Sequence, residues 1–355
     1  MKVLLLLEAA GGGAGRHVLD LSLGLVKRGL EVHLAYSPLR MEDLFAKHLP
    51  RLQEAGVHLL SLPIRREPHP SDLTALGNLL SYARKQGPFD IVHGHSSKGG
   101  ALARLLGPLI RAKVVYTPHG VTALRGPSLY DLAEKSLAPL THLAIAVSPW
   151  EEEALRKLGY RRVEVVLNGI DPTGFPSRKE ARERLGLREE KVVGFVGRFV
   201  PEKNPLLALR AFAHLSDPNL KLVMVGDGPL RQEVEKETEA LGLKERVILT
   251  GALEARKIFP AFDVLLLTSA YEGLPYVVLE ALTLSIPIVS APTPGLGEWL
   301  SQHGAFVADK GDPDALKEVL VKALELGKKE SLVWKKEWSF KSMVEKTLEL
   351  YKAIL

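Results

Sequence analysis

The segment KVVGFVGRFVPEKNPLLALRAFAHL (191–215) carries a clear structural signal. It begins with a Val-rich apolar run, continues through a loop of glycine and charged residues, and ends where Ala208, Phe212 and Leu215 share one helical face. A short run of this kind is typical of a strand that is buried on both faces of a parallel sheet. The segment therefore predicts a strand, a loop and a helix in the order found in α/β folds.

The same alternation of apolar runs and helical stretches recurs along the 355 residues. The first half contains seven runs: KVLLLL (2–7), EVHLAY (31–36), VHLLSL (57–62), DIVHGH (90–95), KVVYT (113–117), LAIAV (143–147) and VEVVLN (163–168). The second half contains six: KVVGFVG (191–197), NLKLVMVG (219–226), RVILT (246–250), FDVLLLT (262–268), IPIVS (286–290) and GAFVA (304–308). This alternation predicts two Rossmann-like domains, each with a parallel sheet.

The break between the two halves falls at GIDPTGFPS (169–177), where two prolines and two glycines suit a hinge. We expect an N-terminal domain over 1–168 and a C-terminal domain over 177–332. A final helix over 333–355 has no strand after it, and we expect it to pack back on the first domain. Ligands bind at the carboxyl ends of parallel strands, so functional residues are expected in the loops that follow the strands, across a cleft between the sheets.

Composition excludes several classes of protein. Hydrophobic residues make up 46% and charged residues 25%, which argues against a mostly disordered chain. The absence of cysteine excludes disulfides and thiolate chemistry. The net charge of +5 divides into +6 for the first 168 residues and −1 for the rest, which indicates an anionic partner for the first domain. Because the basic residues are dispersed and no aromatic platform is present, we expect no nucleic-acid partner.

No targeting or membrane-spanning segment stands out. The apolar run Val3–Leu7 is too short for a signal peptide, and the uncharged stretch 281–297 carries three prolines. We therefore expect a cytoplasmic protein. The segment ALARLLGPLIRAK (101–113) is a candidate for peripheral contact with an anionic membrane surface. The alternative, which we favour, is an ordinary buried helix with Arg104 and Arg111 at its ends.

Two basic residues follow the first strand of the second domain. Arg198 and Lys203 lie five residues apart in a loop that leads into a helix. Two cations beside a helix N-terminus suit a diphosphate. The turn GDGP (226–229) follows the next strand, and a structural role is at least as well supported there as contact with a ligand.

The motif EGLPYVVLE follows the strand FDVLLLT and supplies two carboxylates. Pro275 fits the first turn of a helix, which would leave the backbone N–H groups of Gly273 and Leu274 at its N-terminus. Glu272 would then lie in the loop and Glu280 about two turns into the helix. Because Glu280 stands among apolar residues, where an unpartnered carboxylate is costly, a polar ligand is favoured.

The first domain offers a glycine-rich loop and several histidines. GGGAG (11–15) lets a ligand approach the backbone closely, although it does not match the dinucleotide fingerprint. His119 follows the strand KVVYT and could act as a hydrogen-bonding or acid–base group. Metal binding by His93, His95 and His119 is disfavoured because no acidic ligand joins them at a known spacing. The sequence Asp312-Pro313-Asp314 resembles a DxD metal motif, but it precedes a helix, and Asp312 or Asp314 is better explained as a helix cap.

Taken together, these motifs resemble glycosyltransferase family 4, whose fold is GT-B. EGLPYVVLE (272–280) matches the E-x7-E motif of the family. Other matching motifs occur in the expected order: the early glycine-rich loop, TPHG (117–120), AVSPWEEEAL (146–155), VLNGID (166–171), GRFVPEKN (197–204) and GDGP (226–229). HGHSSKGG (93–100) followed by YTPHG resembles the branch that builds lipid-linked and exopolysaccharide chains. Two segments depart from the pattern: VTALRGPSLYD (121–131) is short, and TPGLGEW (293–299) places Glu298 only loosely.

The resemblance implies retaining transfer of a hexose-type sugar from a nucleotide-sugar to a carbohydrate or lipid-linked acceptor of the cell envelope. UDP is the favoured nucleotide and GDP the alternative, and no metal or other cofactor is required. The residues implied in catalysis are His119, Glu272, Arg198 and Lys203. The residues implied in donor binding are Gly13, Gly15, Arg198, Lys203, Glu272, Gly273, Leu274 and Glu280.

Within that set the resemblance implies distinct roles. Arg198 and Lys203 match the positions that hold the diphosphate. Glu272 matches the residue that contacts the donor sugar, and Glu280 matches the carboxylate that binds the ribose. His119 matches the histidine near the transferred sugar, while the glycine-rich loop approaches the phosphates and the acceptor.

Other function classes stay open on sequence grounds. A nucleotide-sugar 2-epimerase of the same fold would share the cleft but release an epimerised nucleotide-sugar. A non-catalytic nucleotide-sugar binder would keep the basic loop and show no turnover.

Overall fold

The computed structural model describes residues 1–65, 67–120, 129–327 and 334–355, with the backbone alone for Leu129 and Tyr130. It contains two compact units, one formed by Met1–Gly169 with Glu337–Leu355 and the other by Ile170–Lys336. The junction expected at 332–333 and most of the segment 121–131 lie outside the described residues.

The first unit is built on a seven-stranded sheet in which all strand pairs are parallel. Its strands are β1 (Lys2–Leu7), β2 (Glu31–Tyr36), β3 (His58–Ser61), β4 (Ile91–His95), β5 (Lys113–Thr117), β6 (Leu143–Ala146) and β7 (Val163–Val165). Its helices are α1 (Gly12–Val26), α2 (Asp43–Ala46), α3 (Leu49–Glu54), α4 (Ser71–Gln86), α5 (Ser96–Ile110), α6 (Leu129–Leu137), α7 (Pro149–Lys157) and the last helix, α14 (Phe340–Lys352). The strand order β3-β2-β1-β4-β5-β6-β7 is doubly wound, with the chain beginning inside the sheet.

The apolar character of β1 follows from its burial on both faces. Val3, Leu5 and Leu7 belong to a core that includes α1 and α14 residues. Leu4 and Leu6 belong to a separate core that includes residues of α4 and α5. Alternate side chains of a strand point to opposite faces, so a continuous run of leucines satisfies both cores.

The second unit repeats the architecture with a six-stranded parallel sheet of order β10-β9-β8-β11-β12-β13. Its strands are β8 (Lys191–Val196), β9 (Leu220–Val225), β10 (Val247–Gly251), β11 (Val264–Leu267), β12 (Ile288–Ser290) and β13 (Phe306–Val307). Its helices are α8 (Arg178–Glu183), α9 (Pro205–Ala213), α10 (Arg231–Ala240), α11 (Tyr276–Thr283), α12 (Leu296–Gln302) and α13 (Pro313–Leu326). Of the two predicted helix caps, Asp312 is the one observed: its carboxylate accepts a hydrogen bond from the backbone N–H of Ala315 at 2.9 Å, whereas Asp314 lies in the first turn.

The last helix packs against the first one. A Cβ atom at Gly24 of α1 would lie 2.4 Å from Val344 of α14, so the glycine permits the close approach of the two helices. Met343, Val344 and Tyr351 are fully buried in the core of the first unit. The C-terminal segment is therefore an integral part of the first unit.

The α/β prediction is confirmed, since each of the thirteen predicted runs contains a strand. The strands are shorter than several runs; only Phe306–Val307 pairs within the run 304–308. Among the described residues, no helix has both the length and the apolar character that a bilayer crossing requires.

Candidate active site

Two loops of the second unit bring a predicted cation and a predicted carboxylate together. Lys203 lies in the loop after β8, and Glu272 lies in the loop after β11, which pairs with β8. Because the strands are parallel, both loops emerge at the same edge of the sheet. There the Lys203 ammonium forms an ion pair with Glu272, whose carboxylate also accepts a hydrogen bond from the Ser269 hydroxyl at 2.7 Å. The two side chains remain 27% and 13% exposed, so each keeps surface that a ligand can contact.

Hydrogen bonds fix these two loops against each other. The Thr268 hydroxyl lies 2.9 Å from the carbonyl oxygens of both Lys203 and Asn204, and the backbone N–H of Ala270 donates to the carbonyl of Glu202. Asn204 adopts a left-handed conformation (φ 48°) and caps α9 through its side-chain oxygen. The position of the Lys203 side chain is thus set by backbone contacts on both sides.

The GDGP turn after β9 supports the basic loop from its other side. A Cβ atom at Gly226 would lie 1.9 Å from the carbonyl oxygen of Gly197, and one at Gly228 would lie 2.6 Å from that of Phe199. The backbone N–H of Phe199 donates to the carbonyl of Asp227 at 2.9 Å. These contacts favour the structural interpretation of the turn, since its glycines let two backbones meet.

The two predicted basic residues differ in their surroundings. Arg198 is exposed and, within the part of the chain that the structure describes, has no ion-pair partner. Lys203 is already paired with Glu272. An anionic ligand at this edge would therefore meet one unpaired guanidinium and one ammonium whose charge is shared with a carboxylate.

The carboxylate Glu280 lies in α11 and is only 2% exposed. The expectation that Pro275 begins the first helical turn is wrong by one position, because Pro275 is the N-cap and α11 begins at Tyr276. Leu274 is buried and Gly273 half-buried immediately before the cap. The helix thus starts directly after the residues expected to present backbone N–H groups.

His119 of the first unit follows β5 in a strained backbone conformation (φ 57°). The next residue, Gly120, donates its backbone N–H to the carboxylate of Glu151 at 2.6 Å, and Val147 donates to the same carboxylate at 2.6 Å. Glu151 is fully buried in α7, and this burial raises its pKa to about 7. Glu151 therefore ties the backbone after His119 to the loop that follows β6.

His119 lies in a cluster of histidines from neighbouring strands. Its Nε2 is 3.0 Å from Nδ1 of His95, the last residue of β4. His17 of α1 contacts the ring of His119 edge-on, and its Nδ1 is 3.0 Å from the Asn168 side-chain oxygen. Burial lowers the pKa of His17 to about 4 and that of His95 and His119 well below the ordinary value, so all three imidazoles are neutral at pH 7.

The histidine grouping considered from the sequence is corrected in one member. His93 does not join His119, because its two ring nitrogens contact the hydroxyl groups of Tyr351 and Thr117. His17 takes its place in the group whose ring nitrogens lie close together. Strand alternation does not separate the two histidines of β4, because His93 and His95 are two residues apart and share a face. The contact of His93 with Tyr351, from the far end of the chain, could not be predicted from the local sequence.

The glycine-rich loop is shorter than expected because α1 begins at Gly12. Gly13 is exposed in the first turn, and Gly15 is buried, where a Cβ atom would lie 3.2 Å from a ring carbon of Phe45. The Glu42 carboxylate accepts a hydrogen bond from the backbone N–H of Gly12 at 2.9 Å. An acidic side chain therefore stands at the helix N-terminus where an anionic ligand was expected.

The candidate membrane segment is an ordinary helix for most of its length. Arg104 lies in the middle of α5 rather than at its end, and it is fully buried. Its guanidinium pairs with Glu134 at 2.7 Å and lies 4.2 Å from the ring centre of Tyr116. Arg104 therefore contributes no charge to a membrane-facing surface.

Several site residues escaped the sequence analysis: Glu42, Glu151, Asn168, Ser269 and His17. Ser269 could have been proposed from its position, because it lies two residues after the end of β11. Glu151 and Asn168 lie within the motifs AVSPWEEEAL and VLNGID, but the motifs do not show their contacts. Like those of Glu42 and His17, these contacts join residues that are distant in sequence.

Comparison with known proteins identifies the family. The model described as "Glycosyltransferase Family 4" matches residues 11–173, and "Glycosyl transferases group 1" matches residues 177–337. The UDP-Gal:alpha-D-GlcNAc-diphosphoundecaprenol alpha-1,3-galactosyltransferase of Escherichia coli is 30% identical over 275 residues, which is 72% of this chain and 71% of the relative. The chain belongs to glycosyltransferase family 4. It is therefore a glycosyltransferase.

More distant relatives span more of the chain. A D-inositol 3-phosphate glycosyltransferase of Xylanimonas cellulosilytica is 27% identical and covers 87% of this chain and 82% of its own length. Among solved structures, HepE of Anabaena in complex with UDP-glucose has a TM-score of 0.81 at 21% identity, with coverage of 99% and 100%. Sucrose-phosphate synthase of Thermosynechococcus elongatus has a TM-score of 0.82 at 19% identity, with coverage of 100% and 99%. These structures establish the GT-B fold of this glycosyltransferase.

Proposed function

We propose that this glycosyltransferase moves a hexose-type sugar, with retention, from a UDP-sugar to a carbohydrate or lipid-linked acceptor of the cell envelope. The second unit would bind the donor and the first unit the acceptor. The observation that carries the proposal is the ion pair between Lys203 and Glu272, in the same loop region as the exposed Arg198. Hydrogen bonds hold the two loops together at one edge of the sheet. This edge offers cations for a diphosphate and a carboxylate for sugar hydroxyls.

The charges at this edge suit the cleavage of a sugar–diphosphate bond. When that bond breaks, negative charge develops on the leaving oxygen, and preorganised cations stabilise it. Arg198 and Lys203 would supply these charges, and Glu272 would orient both Lys203 and the donor sugar. Glu280 would bind the ribose, while the backbone N–H groups of Gly273 and Leu274 would contact the sugar.

In the first unit, His119 is the residue proposed to contact the transferred sugar. Burial lowers the pKa of His119, so its imidazole is neutral at pH 7. It would therefore contact the transferred sugar through a hydrogen bond and not as a positively charged imidazolium. For retention, the departing diphosphate oxygen would take the proton of the acceptor hydroxyl as that hydroxyl oxygen bonds to the same face of the sugar carbon. Gly13 and Gly15 would line the approach of the acceptor.

The relatives support the choice of donor and acceptor class. The name of the Escherichia coli relative specifies UDP-galactose and a sugar on diphosphoundecaprenol. The HepE structures contain UDP, UDP with glucose, and UDP-glucose. We therefore favour UDP over GDP and a lipid-linked acceptor over a free sugar.

Nucleotide binding tests the donor assignment. Thermal shift of the full chain is measured against UDP, GDP and ADP, and we expect UDP to raise the melting temperature most. Lys203→Ala is expected to abolish the UDP shift, whereas Lys236→Ala, an exposed lysine on α10, is a matched control that should keep it. A UDP shift that survives in Lys203→Ala would contradict the proposed site.

Product analysis tests the reaction type. With a UDP-sugar and a lipid-linked acceptor, a transferase forms one UDP for each sugar transferred. An epimerised sugar still bonded to UDP would instead identify a 2-epimerase, and UDP-sugar binding without turnover on any acceptor would identify a binder. Activity should persist after chelator treatment, because cations of the chain are proposed to neutralise the diphosphate; a strict metal requirement would overturn this.

With a lipid-linked acceptor, the enzyme would bind peripherally at the inner face of the cell membrane. Leu105 and Leu109 lie one turn apart on α5 and are 43% and 56% exposed, with Arg111 at the end of the helix. Flotation with anionic vesicles at low salt should recover the wild-type protein and less of Leu109→Gln. Absence of wild-type flotation would remove the peripheral membrane assignment.

A further inference from the structure

Three histidines of the first unit converge from separate elements. His17 comes from α1, His95 ends β4, and His119 follows β5, and one ring nitrogen from each lies within 4.8 Å of the other two. The ring centres are 4.7 Å apart for His17 and His119, 5.3 Å for His95 and His119, and 5.6 Å for His17 and His95. Three imidazoles bound tetrahedrally to one Zn²⁺ have ring centres roughly 5 Å apart, given Zn–N distances of about 2.0–2.1 Å. The spacing of the cluster therefore matches a three-histidine metal site.

The hydrogen bonds of His17 leave a lone pair for an ion. Its Nδ1 lies 3.0 Å from the side-chain oxygen of Asn168, and an amide oxygen only accepts, so Nδ1 carries the proton. The Nε2 atom then keeps its lone pair. A metal-binding histidine commonly donates its second nitrogen to an oxygen in this way, which fixes the ring orientation.

His95 and His119 already hold two nitrogens at a suitable separation. Nδ1 of His95 and Nε2 of His119 are 3.0 Å apart, close to the roughly 3.3 Å between two ligands on one tetrahedral Zn²⁺. The other nitrogen of His95, Nε2, is buried and has no hydrogen-bond partner among the described residues. Without the ion, a proton on Nδ1 of His95 or Nε2 of His119 joins the rings in a hydrogen bond. Binding of the ion to both nitrogens requires each ring to carry its proton on its other nitrogen, which for His95 is the buried Nε2.

We propose that His17, His95 and His119 bind one divalent transition-metal ion of the Zn²⁺ class, and that this ion inhibits the enzyme. His119 is the partly exposed member of the group, so it offers the route by which the ion enters. The inhibition, unlike the binding, rests on the proposed function, because it requires the ring of His119 to contact the donor sugar.

A second group with metal-binding side chains provides the control. Glu31, His33 and His58 also lie close together, on β2 and β3. The Lys2 ammonium lies 2.8 Å from the Glu31 carboxylate, and His33 contacts both Glu31 and Tyr82. The Lys2 ammonium beside the carboxylate would repel a metal ion. The hydrogen bonds of His33 to Glu31 and Tyr82 also occupy its two ring nitrogens, so metal binding is disfavoured there.

Metal binding is measured on the full chain without nucleotide, by competition between the protein and a chromophoric chelator for Zn²⁺. We expect one ion for each chain. His17→Gln, His95→Asn and His119→Asn should each weaken Zn²⁺ binding by more than about 100-fold. Removing a metal ligand should lower the affinity more than removing a residue that only hydrogen-bonds to a ligand. His58→Asn should bind as the wild type does. Co²⁺ should give the intense visible absorption of a four-coordinate ion.

The outcomes separate this inference from the proposed function. Circular dichroism checks folding, and His119→Asn, whose side chain is least buried, keeps the test decisive if the other two variants misfold. Absence of Zn²⁺ binding by the wild type, retention in His119→Asn, or loss in His58→Asn would each overturn the site. If Zn²⁺ binds here while no nucleotide binds, the site stands and the proposed function fails. Binding without inhibition of transfer would reject the inhibitory role.

Discussion

At the scale of single residues, substitutions of Lys203 and Glu272 should affect catalysis much more than stability. Lys203→Ala or Glu272→Gln should lower kcat by about 100-fold or more. Lys203→Ala removes the protein charge proposed to stabilise the leaving diphosphate, and Glu272→Gln removes the one proposed to contact the donor sugar. A partly exposed ion pair contributes at most about 1 kcal/mol, so the melting temperature should fall by no more than about 4 °C. Steady-state kinetics and calorimetry measure the two effects.

The control for that pair lies in the same unit. Arg210 and Glu237 form an exposed ion pair between α9 and α10, away from the strand ends. Arg210→Ala should leave kcat unchanged and shift the melting temperature by a similar small amount. Full activity in Lys203→Ala would contradict the diphosphate role, whatever its stability.

The buried carboxylate Glu151 gives stability a pH dependence of defined sign. Burial raises its pKa from 4.5 to about 7, so the folded state binds the proton more tightly than the unfolded state. Its contribution is complete below pH 4.5 and is lost as the pH rises through 7. The loss is on the order of 3 kcal/mol at high pH. Glu151→Gln should therefore flatten the profile of unfolding free energy between pH 5 and 8.

Denaturant titrations at several pH values measure that profile. Glu153→Gln is the matched control, since Glu153 lies in the same helix but is exposed and pairs with Lys157. It should leave the slope between pH 5 and 8 unchanged. A wild-type profile as flat as that of Glu151→Gln would show that Glu151 does not titrate in this range.

The same carboxylate shows what sequence reasoning could not reach. Arg198, Lys203 and Glu272 could be proposed as site residues because they lie in loops that follow apolar strands, and strand ends are where parallel sheets bind ligands. Glu151 stands in a run of three glutamates, which is typical of a solvated helix surface. The motif AVSPWEEEAL contains Glu151, but the motif does not show its contact with the Gly120 amide, 31 residues away.

At the scale of elements, strands were more predictable than their ends. A strand buried on both faces needs a continuous apolar run, so all thirteen could be located. Pairing with a neighbour decides where a strand stops, which is why only two residues of 304–308 form β13. The first residue of a helix likewise depends on capping geometry. Pro275 is an N-cap instead of a first-turn residue, and α1 begins at Gly12, inside the glycine-rich loop.

The contact between the loops after β8 and β9 depends on Gly226. Its φ of 151° suits glycine, and an added Cβ would lie 1.9 Å from the carbonyl oxygen of Gly197. Gly226→Ala should displace the backbone beside Arg198, lower the unfolding free energy by about 2 kcal/mol or more and weaken UDP binding. Gly242→Ala is the control: its φ is 67°, no atom lies within 4 Å, and it should cost about 1 kcal/mol with UDP binding unchanged. Equal effects of the two variants would reject the role of the loop contact.

At the scale of the whole molecule, the chain begins and ends in the same compact unit. The return of the chain was anticipated from an apolar helix with no strand after it. The close contact was not, because Gly24 looks like an ordinary helix residue until Val344 is placed against it. A packing contact between distant segments is a property of the folded chain and leaves no periodic signal.

This arrangement predicts that damage to the last helix unfolds one unit selectively. Val344→Asp buries an unpaired carboxylate against α1, which should cost several kcal/mol. Hydrogen exchange should then accelerate in β1 and α1 while β8 and β11 keep their protection, because α14 belongs to the first unit alone. Lys346→Asp introduces the same side chain at an exposed position of the same helix and should change neither region. Equal loss of protection in both units of Val344→Asp would show that they unfold as one cooperative body, and that the second unit depends on the C-terminal helix for its stability.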